Sequence, residues 1–164
     1  MDGMSFEDWQ LKFVFSTVSG GDRQGILGMA RTASNGGQAK AVVNAITSTS
    51  YGKDKELFDR VMKLLKFDCL AELFQSSDDY DRKQFLLPFL LEKTENVGQW
   101  VGILQWDDLD NVALDKVLKR LMEVAQTLED WKTIWVCCPV GSDLEKIVTE
   151  KINSFAGKDH EKSL

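Results

Sequence analysis

The sequence predicts an all-α fold, a right-handed α-solenoid of about five stacked helical hairpins, and three observations indicate it. Anchor positions, four of the five preceded by a helix-capping motif, recur every 30 or 31 residues. Apolar residues follow each motif at helical spacing, and a turn rich in Gly, Ser or Asp separates two helices in every period. Because one hairpin cannot bury its apolar face alone, hairpins at a constant period are expected to stack into a continuous core.

The capping motifs place the first helix of each hairpin. Ser5, Asn96 and Thr127 each stand three residues before an Asp or Gln and four before a Trp. In such a capping box the first side chain accepts a hydrogen bond from a backbone amide, and the Asp or Gln reaches back. Asn35 begins the same motif with Ala in the Trp place. The predicted anchor positions of the five hairpins are Trp9, Ala39, Leu70, Trp100 and Trp131.

Further apolar positions follow each anchor in register. Four residues later, on the same helix face, stand Phe13, Val43, Phe74, Leu104 and Trp135. The second helices are predicted to bury Ile26 and Ala30, Leu57 and Val61, Leu87 and Leu91, Val117 and Leu121, and Val148 and Ile152. In the third hairpin Lys66 cannot cap, so Asp68 is expected to do so. Pro88 is expected to kink or interrupt the second helix of that hairpin.

An irregular helical bundle is the alternative, since any bundle shows capped helices and apolar pairs four residues apart. A bundle does not require a constant period over five units, and the period therefore favours the repeat. The run from Ile134 to Cys138 has β-propensity, but the caps and the periodicity outweigh it. We predict one helical-repeat domain over residues 1–156, its last helix running from Leu144 to Phe155, and a flexible polar tail over residues 157–164.

The hairpin length and the paired pattern over residues 5 to about 156 resemble short HEAT-like or armadillo-like repeats. The period is shorter than the roughly 40–47 residues typical of those families. Stacked helical hairpins usually present an elongated surface that curves into a groove suited to another macromolecule.

Composition narrows the class of partner. The chain has 20 basic and 26 acidic residues, so direct nucleic-acid binding is not expected and a basic protein is the expected partner. Its three cysteines, Cys69, Cys137 and Cys138, make a poor disulfide framework, which indicates a reducing compartment, the cytoplasm. The first residues carry no secretory signal, and no run approaches the ~18 apolar residues of a membrane span, so no membrane association is expected.

The residues for familiar catalytic sites are missing from the sequence. His160, the single histidine, falls in the predicted tail, where it cannot hold the geometry of a Ser-His-Asp site or of a metal site. The glycine-rich loop at residues 19–25 lacks the Lys-Ser/Thr ending of a phosphate loop. We therefore expect no enzyme activity, no cofactor and no metal.

Two acidic turns are the candidate partner-binding residues. They occupy equivalent places in neighbouring hairpins, and Trp106 precedes the second: Asp78, Asp79 and Asp81 in one turn, Asp107, Asp108 and Asp110 in the other. Their carboxylates are predicted to line one edge, for a basic partner or a weak divalent-cation site. Asp is also favoured at helix starts by capping and by the helix dipole. Trp106 is either an interface anchor or packs between hairpins.

These observations predict a non-enzymatic protein–protein interaction module whose acidic edge contacts a basic protein. The alternative is a small acidic inhibitor that blocks a nucleic-acid-binding protein, of the kind that phages and mobile elements encode. A third hypothesis is an enzyme with carboxylate chemistry at Asp78 and Asp107.

Overall fold

Ten α-helices make up the part of the chain that the structure describes. The structure is a computed structural model that describes residues 3–16, 23–47, 54–106 and 109–162. The helices are α1 (Phe6–Ser16), α2 (Arg23–Thr32), α3 (Gly36–Thr47), α4 (Lys55–Leu64), α5 (Phe67–Gln75), α6 (Tyr80–Glu92), α7 (Gly98–Trp106), α8 (Asn111–Val124), α9 (Leu128–Cys137) and α10 (Asp143–Lys162). These ranges contain no strand, and the predicted all-α fold is confirmed.

The chain divides into two compact units, Met1–Lys93 and Thr94–Leu164. The predicted domain of residues 1–156 comprises the first unit and most of the second. In the first unit, α2 packs against α1, α3 and α4, while α5 packs against α3 and α6. In the second unit, α9 packs against α7, α8 and α10. Each of these contacts joins two helices that are adjacent in sequence or separated by one helix.

The core follows the predicted repeat. All five anchors, Trp9, Ala39, Leu70, Trp100 and Trp131, are buried. Among the residues four positions after the anchors, Phe13, Val43 and Phe74 are buried and Leu104 is half-buried. Of the ten predicted core residues in the second helices, all are buried except Leu91 and Ile152, which are half-buried.

Trp135 is wrongly predicted as a core residue. Its side chain is 45% exposed. Helix α9 buries Trp131 and Ile134, and Cys138, directly after the helix, is buried as well. Trp135 stands one turn after Trp131 on the same side of the helix, so its exposure depends on which helices pack against α9 and not on the helical period.

The predicted capping boxes form before α1 and before α9. The amide of Asp8 donates to Ser5 Oγ at 3.2 Å, and the amide of Ser5 donates to Asp8 Oδ2 at 3.0 Å. Thr127 and Asp130 make the same reciprocal pair before α9. The pKa of Asp130 is lowered because its carboxylate accepts hydrogen bonds from the amides of Gln126 and Thr127. The predicted caps Asn35, Asn96 and Ser142 also form: each side chain accepts a hydrogen bond from the backbone amide three residues later.

Three local predictions are corrected. Asp68 does not cap α5, because the helix begins at Phe67 after Lys66, whose side chain makes no capping hydrogen bond. The side chain of Phe67, the first residue of α5, is buried, so packing rather than a side-chain cap stabilises this helix start. Of the two effects predicted for Pro88, a kink or an interruption, the interruption is wrong, because α6 continues to Glu92. Helix α10 ends at Lys162 rather than near Phe155, since the residues after Gly157 include good helix formers.

Candidate functional site

The predicted acidic edge lies partly within the described residues. Asp78, Asp79 and Asp81 are exposed in and after the turn between α5 and α6, in the first unit. Asp110 is half-buried directly before α8, in the second unit. Asp107, Asp108 and the side chain of Trp106 lie outside the described residues, so the choice between interface and packing for Trp106 stays a prediction.

Helix capping accounts for two of these carboxylates. Asp79 Oδ1 accepts a hydrogen bond from the amide of Asp81 at 3.0 Å. Asp110 Oδ1 accepts one from the amide of Ala113 at 2.7 Å. Each aspartate therefore satisfies an amide at a helix N-terminus, where the helix dipole also favours negative charge.

The cap at Asp110 gives a direct prediction. Asp110→Ala should lower the free energy of unfolding by about 1 kcal/mol, because the amide of Ala113 loses its acceptor. Asp110→Asn keeps an acceptor oxygen and should stay within a few tenths of a kcal/mol of the parent protein. Urea unfolding followed by far-UV circular dichroism measures both. Equal losses in the two variants would contradict a capping role.

An apolar recess opens beside the first acidic turn. We call it the aromatic pocket; it has a volume of about 200 Å³. Met62, Leu73 and Leu86 are buried residues of its wall, and Asp79 also lines it. Phe85 lines it too and is 46% exposed. Carboxylate and exposed aromatic surface therefore adjoin at this place.

The aromatic side of this pocket is a packed cluster. The ring centroids of Phe58 and Phe85 lie 6.2 Å apart in an edge-to-face arrangement, and those of Phe85 and Phe89 lie 5.6 Å apart. Aromatic pairs at such distances are stabilised beyond their buried area. The cluster therefore holds Phe85 in place although its side chain is half exposed.

The charge around the aromatic pocket is mixed. Arg82 lines the pocket together with Asp79. The next residue, Lys83, places its Nζ 5.1 Å from the ring centroid of Phe74. The acidic turn thus contributes three carboxylates, and the first turn of α6 adds two cations.

A larger recess lies in the second unit among α7, α8 and α9. We call it the α9 groove; its volume is about 550 Å³. Six of its lining residues are Val101 and Leu104 from α7, Leu109 and Leu114 from the loop and start of α8, and Val136 and Cys137 from α9. Val136 is 75% exposed, and the neighbouring Trp135 is also exposed.

Comparisons with protein-family models, with curated proteins and with solved structures give no significant match. Within the described part of the chain, no three His, Cys, Asp or Glu residues gather closely enough to hold a metal ion. No helix there combines the length and the apolar character needed to cross a bilayer. A proposal about function therefore depends on the acidic turn, the aromatic pocket and the α9 groove.

The thiols are poor nucleophiles at neutral pH. All three cysteines are free. Burial raises the pKa of Cys137, which lines the α9 groove. Burial, with the nearby charges of Cys137 and Glu145, raises the pKa of Cys138 to about 11. Burial also raises the pKa of Cys69. Because the thiolate is the reactive form, such thiols are typical of packing residues.

The sequence did not reveal the aromatic pocket or the α9 groove. Phe85 and Val136 are not predicted site residues, and Trp135 is predicted to be buried. One signal was present: Ile134 to Cys138 is a continuous apolar run, longer than one buried helix face requires. Such a run indicates that some of its side chains must face solvent or a partner.

Proposed function

We propose that this protein is a non-enzymatic protein–protein interaction module that captures a basic segment of another protein. The observation that carries the proposal is that Asp79 belongs to the acidic turn and also lines the aromatic pocket. A bound segment places one apolar side chain in the pocket and a Lys or Arg beside Asp78, Asp79 or Asp81. Apolar anchors provide most of the affinity in such contacts, and charges provide specificity and association rate.

The size of the aromatic pocket supports binding rather than catalysis. Its volume is about 200 Å³. Sites for small molecules usually occupy ~300–1,000 Å³ and enclose most of the ligand. A smaller recess with an exposed aromatic rim suits a single side chain that projects from a larger partner.

The stacking of the helical hairpins and the cellular compartment are also proposed. We propose that the hairpins of each unit stack as consecutive repeats of a right-handed α-solenoid, similar to short HEAT-like or armadillo-like repeats. The packing of α2 on α4, of α3 on α5 and of α7 on α9 supports this, because a solenoid packs equivalent helices of adjacent repeats together. The free thiols support a reducing compartment such as the cytoplasm.

Removal of charge from the acidic turn tests the proposed function. The probe is a fluorescein-labelled decapeptide of lysines around one phenylalanine, titrated with the full chain at low salt. Asp78→Asn, Asp79→Asn and Asp81→Asn together should weaken binding about fivefold, since each exposed charge pair contributes roughly 0.2–1 kcal/mol. Asn at position 79 can still cap α6, so the fold is retained.

The matched control removes the same charge from other places in the first unit. Glu56→Gln, Asp68→Asn and Glu92→Gln change three exposed carboxylates that lie outside the acidic turn. This control should bind the probe as the parent protein does. Equal weakening in both triple variants would show that only the net charge matters and would refute the acidic turn as the site.

A further inference from the structure

The α9 groove combines a recess with apolar side chains that the second unit leaves exposed. Within one turn of α9, Ile134 is fully buried, while Trp135 and Val136 are 45% and 75% exposed. Val136 and Cys137 line the groove together with Val101 and Leu104 of α7. Contiguous exposed apolar surface beside a recess is typical of an interaction site, and Trp is enriched among the residues that dominate binding energy.

The charge of the second unit selects the kind of partner. Residues 94–164 contain thirteen acidic and eight basic residues, whereas residues 1–93 contain thirteen and twelve. Leu109, which lines the groove, stands between Asp108 and Asp110 in the sequence. Lys132, the one lysine of α9, pairs with a carboxylate of the same helix: its Nζ lies 3.8 Å from a carboxylate oxygen of Glu129. A partner with basic residues around its apolar anchors complements this net negative charge, whereas a second copy of the chain would bring like charges together.

The surrounding elements select the conformation of the partner. A partner strand binds by extending the edge of a sheet, and the described residues include no strand. The groove is lined by side chains of three helices and of the loop before α8. An amphipathic helix fills such a groove with residues spaced i, i+3, i+4 and i+7.

We propose that the α9 groove binds one amphipathic, Lys- or Arg-rich α-helix of a partner protein. The apolar face of that helix enters between α7 and α9, and its basic flanks face the acidic surface of the second unit. This inference rests on the proposed function in one respect, namely that the chain is a protein–protein interaction module. It uses different residues, in the other unit.

The probe is a fluorescein-labelled 18-residue peptide of leucine and lysine, with leucines at i, i+3, i+4 and i+7. It is titrated with the full chain by fluorescence anisotropy. Val136→Gln should weaken binding about tenfold, because a wall residue of the groove becomes polar. Val140→Gln is the matched control, since Val140 is 95% exposed in the turn after α9. This control should leave the affinity unchanged, and a scrambled peptide of the same composition should bind at least about tenfold more weakly than the helical design.

A second readout follows the groove directly. Cys137 lines the groove, whereas Cys69 and Cys138 are buried. At about pH 8.5, where more of this thiol ionises, saturating peptide should therefore slow alkylation of Cys137 by N-ethylmaleimide severalfold, measured by mass spectrometry of the digested protein. An unchanged alkylation rate in the presence of bound peptide would place the peptide elsewhere and overturn the inference.

Further outcomes separate this inference from the proposed function. The triple Asn variant of the acidic turn should bind the helical peptide as the parent protein does. If that variant loses the peptide while Val136→Gln retains it, the groove inference fails and the proposed function stands. If Val136→Gln loses the peptide and the triple Asn variant still binds the lysine-phenylalanine probe normally, the proposed function fails and the groove stands. A parent dimer in light scattering that Val136→Gln converts to a monomer would assign the groove to a second copy and overturn the inference.

Discussion

Gly28→Ala should destabilise the first unit by at least about 2 kcal/mol, although Ala is the better helix former. A Cβ atom at Gly28 of α2 would overlap the Cδ2 and Cε3 atoms of the Trp9 ring. Trp9 is a rigid ring in the core of this unit, so the two helices must separate to admit the methyl group. Urea unfolding followed by circular dichroism measures the loss, and hydrogen exchange should accelerate in α1 and α2.

Gly102→Ala is the matched control for this prediction. Gly102 lies within α7, and a Cβ atom there would meet nothing within 4 Å. The same substitution should therefore stabilise the protein by about 0.5–1 kcal/mol through helix propensity alone. Trp9→Phe should also reduce the cost of Gly28→Ala, because the two side chains compete for one space. Stabilisation at both glycines would contradict the close packing of α1 on α2.

Trp100→Ala should lower the free energy of unfolding by about 3–5 kcal/mol. Trp100 is completely buried in the second unit. Its Nε1 donates a hydrogen bond to Thr94 Oγ1 at 2.8 Å, and Thr94 is buried as well. The substitution leaves a large cavity and removes this hydrogen bond. Denaturant unfolding by circular dichroism avoids the change in fluorescence that loss of a Trp produces.

Trp135→Ala provides the comparison on an exposed face. Its side chain is 45% exposed, so the expected change in the free energy of unfolding is below about 1 kcal/mol. If Trp100→Ala and Trp135→Ala lowered the free energy of unfolding equally, stability would follow the repeat pattern of the sequence rather than the burial seen in the structure. That result would return Trp135 to the core and remove the exposed aromatic residue beside the α9 groove.

Local chemistry explains why so much of the fold could be predicted. Ser5 with Asp8, and Thr127 with Asp130, mark helix starts because the capping residues lie three apart in the sequence. The anchor positions are buried because the period brings equivalent residues to the same face of each first helix. The predictions for Asp68 and Trp135 were wrong because they depend on tertiary packing. Packing decides where α5 begins and which side chains of α9 are buried, and neither the capping motifs nor the repeat period contains that information.

By itself, the sequence determined the ten helices, the caps at Ser5, Asn35, Asn96, Thr127 and Ser142, the five buried anchors and the acidic turn at residues 78–81, since all of these depend on neighbours a few positions away or on a regular period. Only the tertiary structure decided that Asp79 borders an aromatic pocket and that Val136 lines an open groove beside an exposed Trp135. A recess forms where side chains from three or more helices fail to fill the space between them. That outcome depends on distances between segments far apart in the chain, which hydrophobic periodicity does not specify.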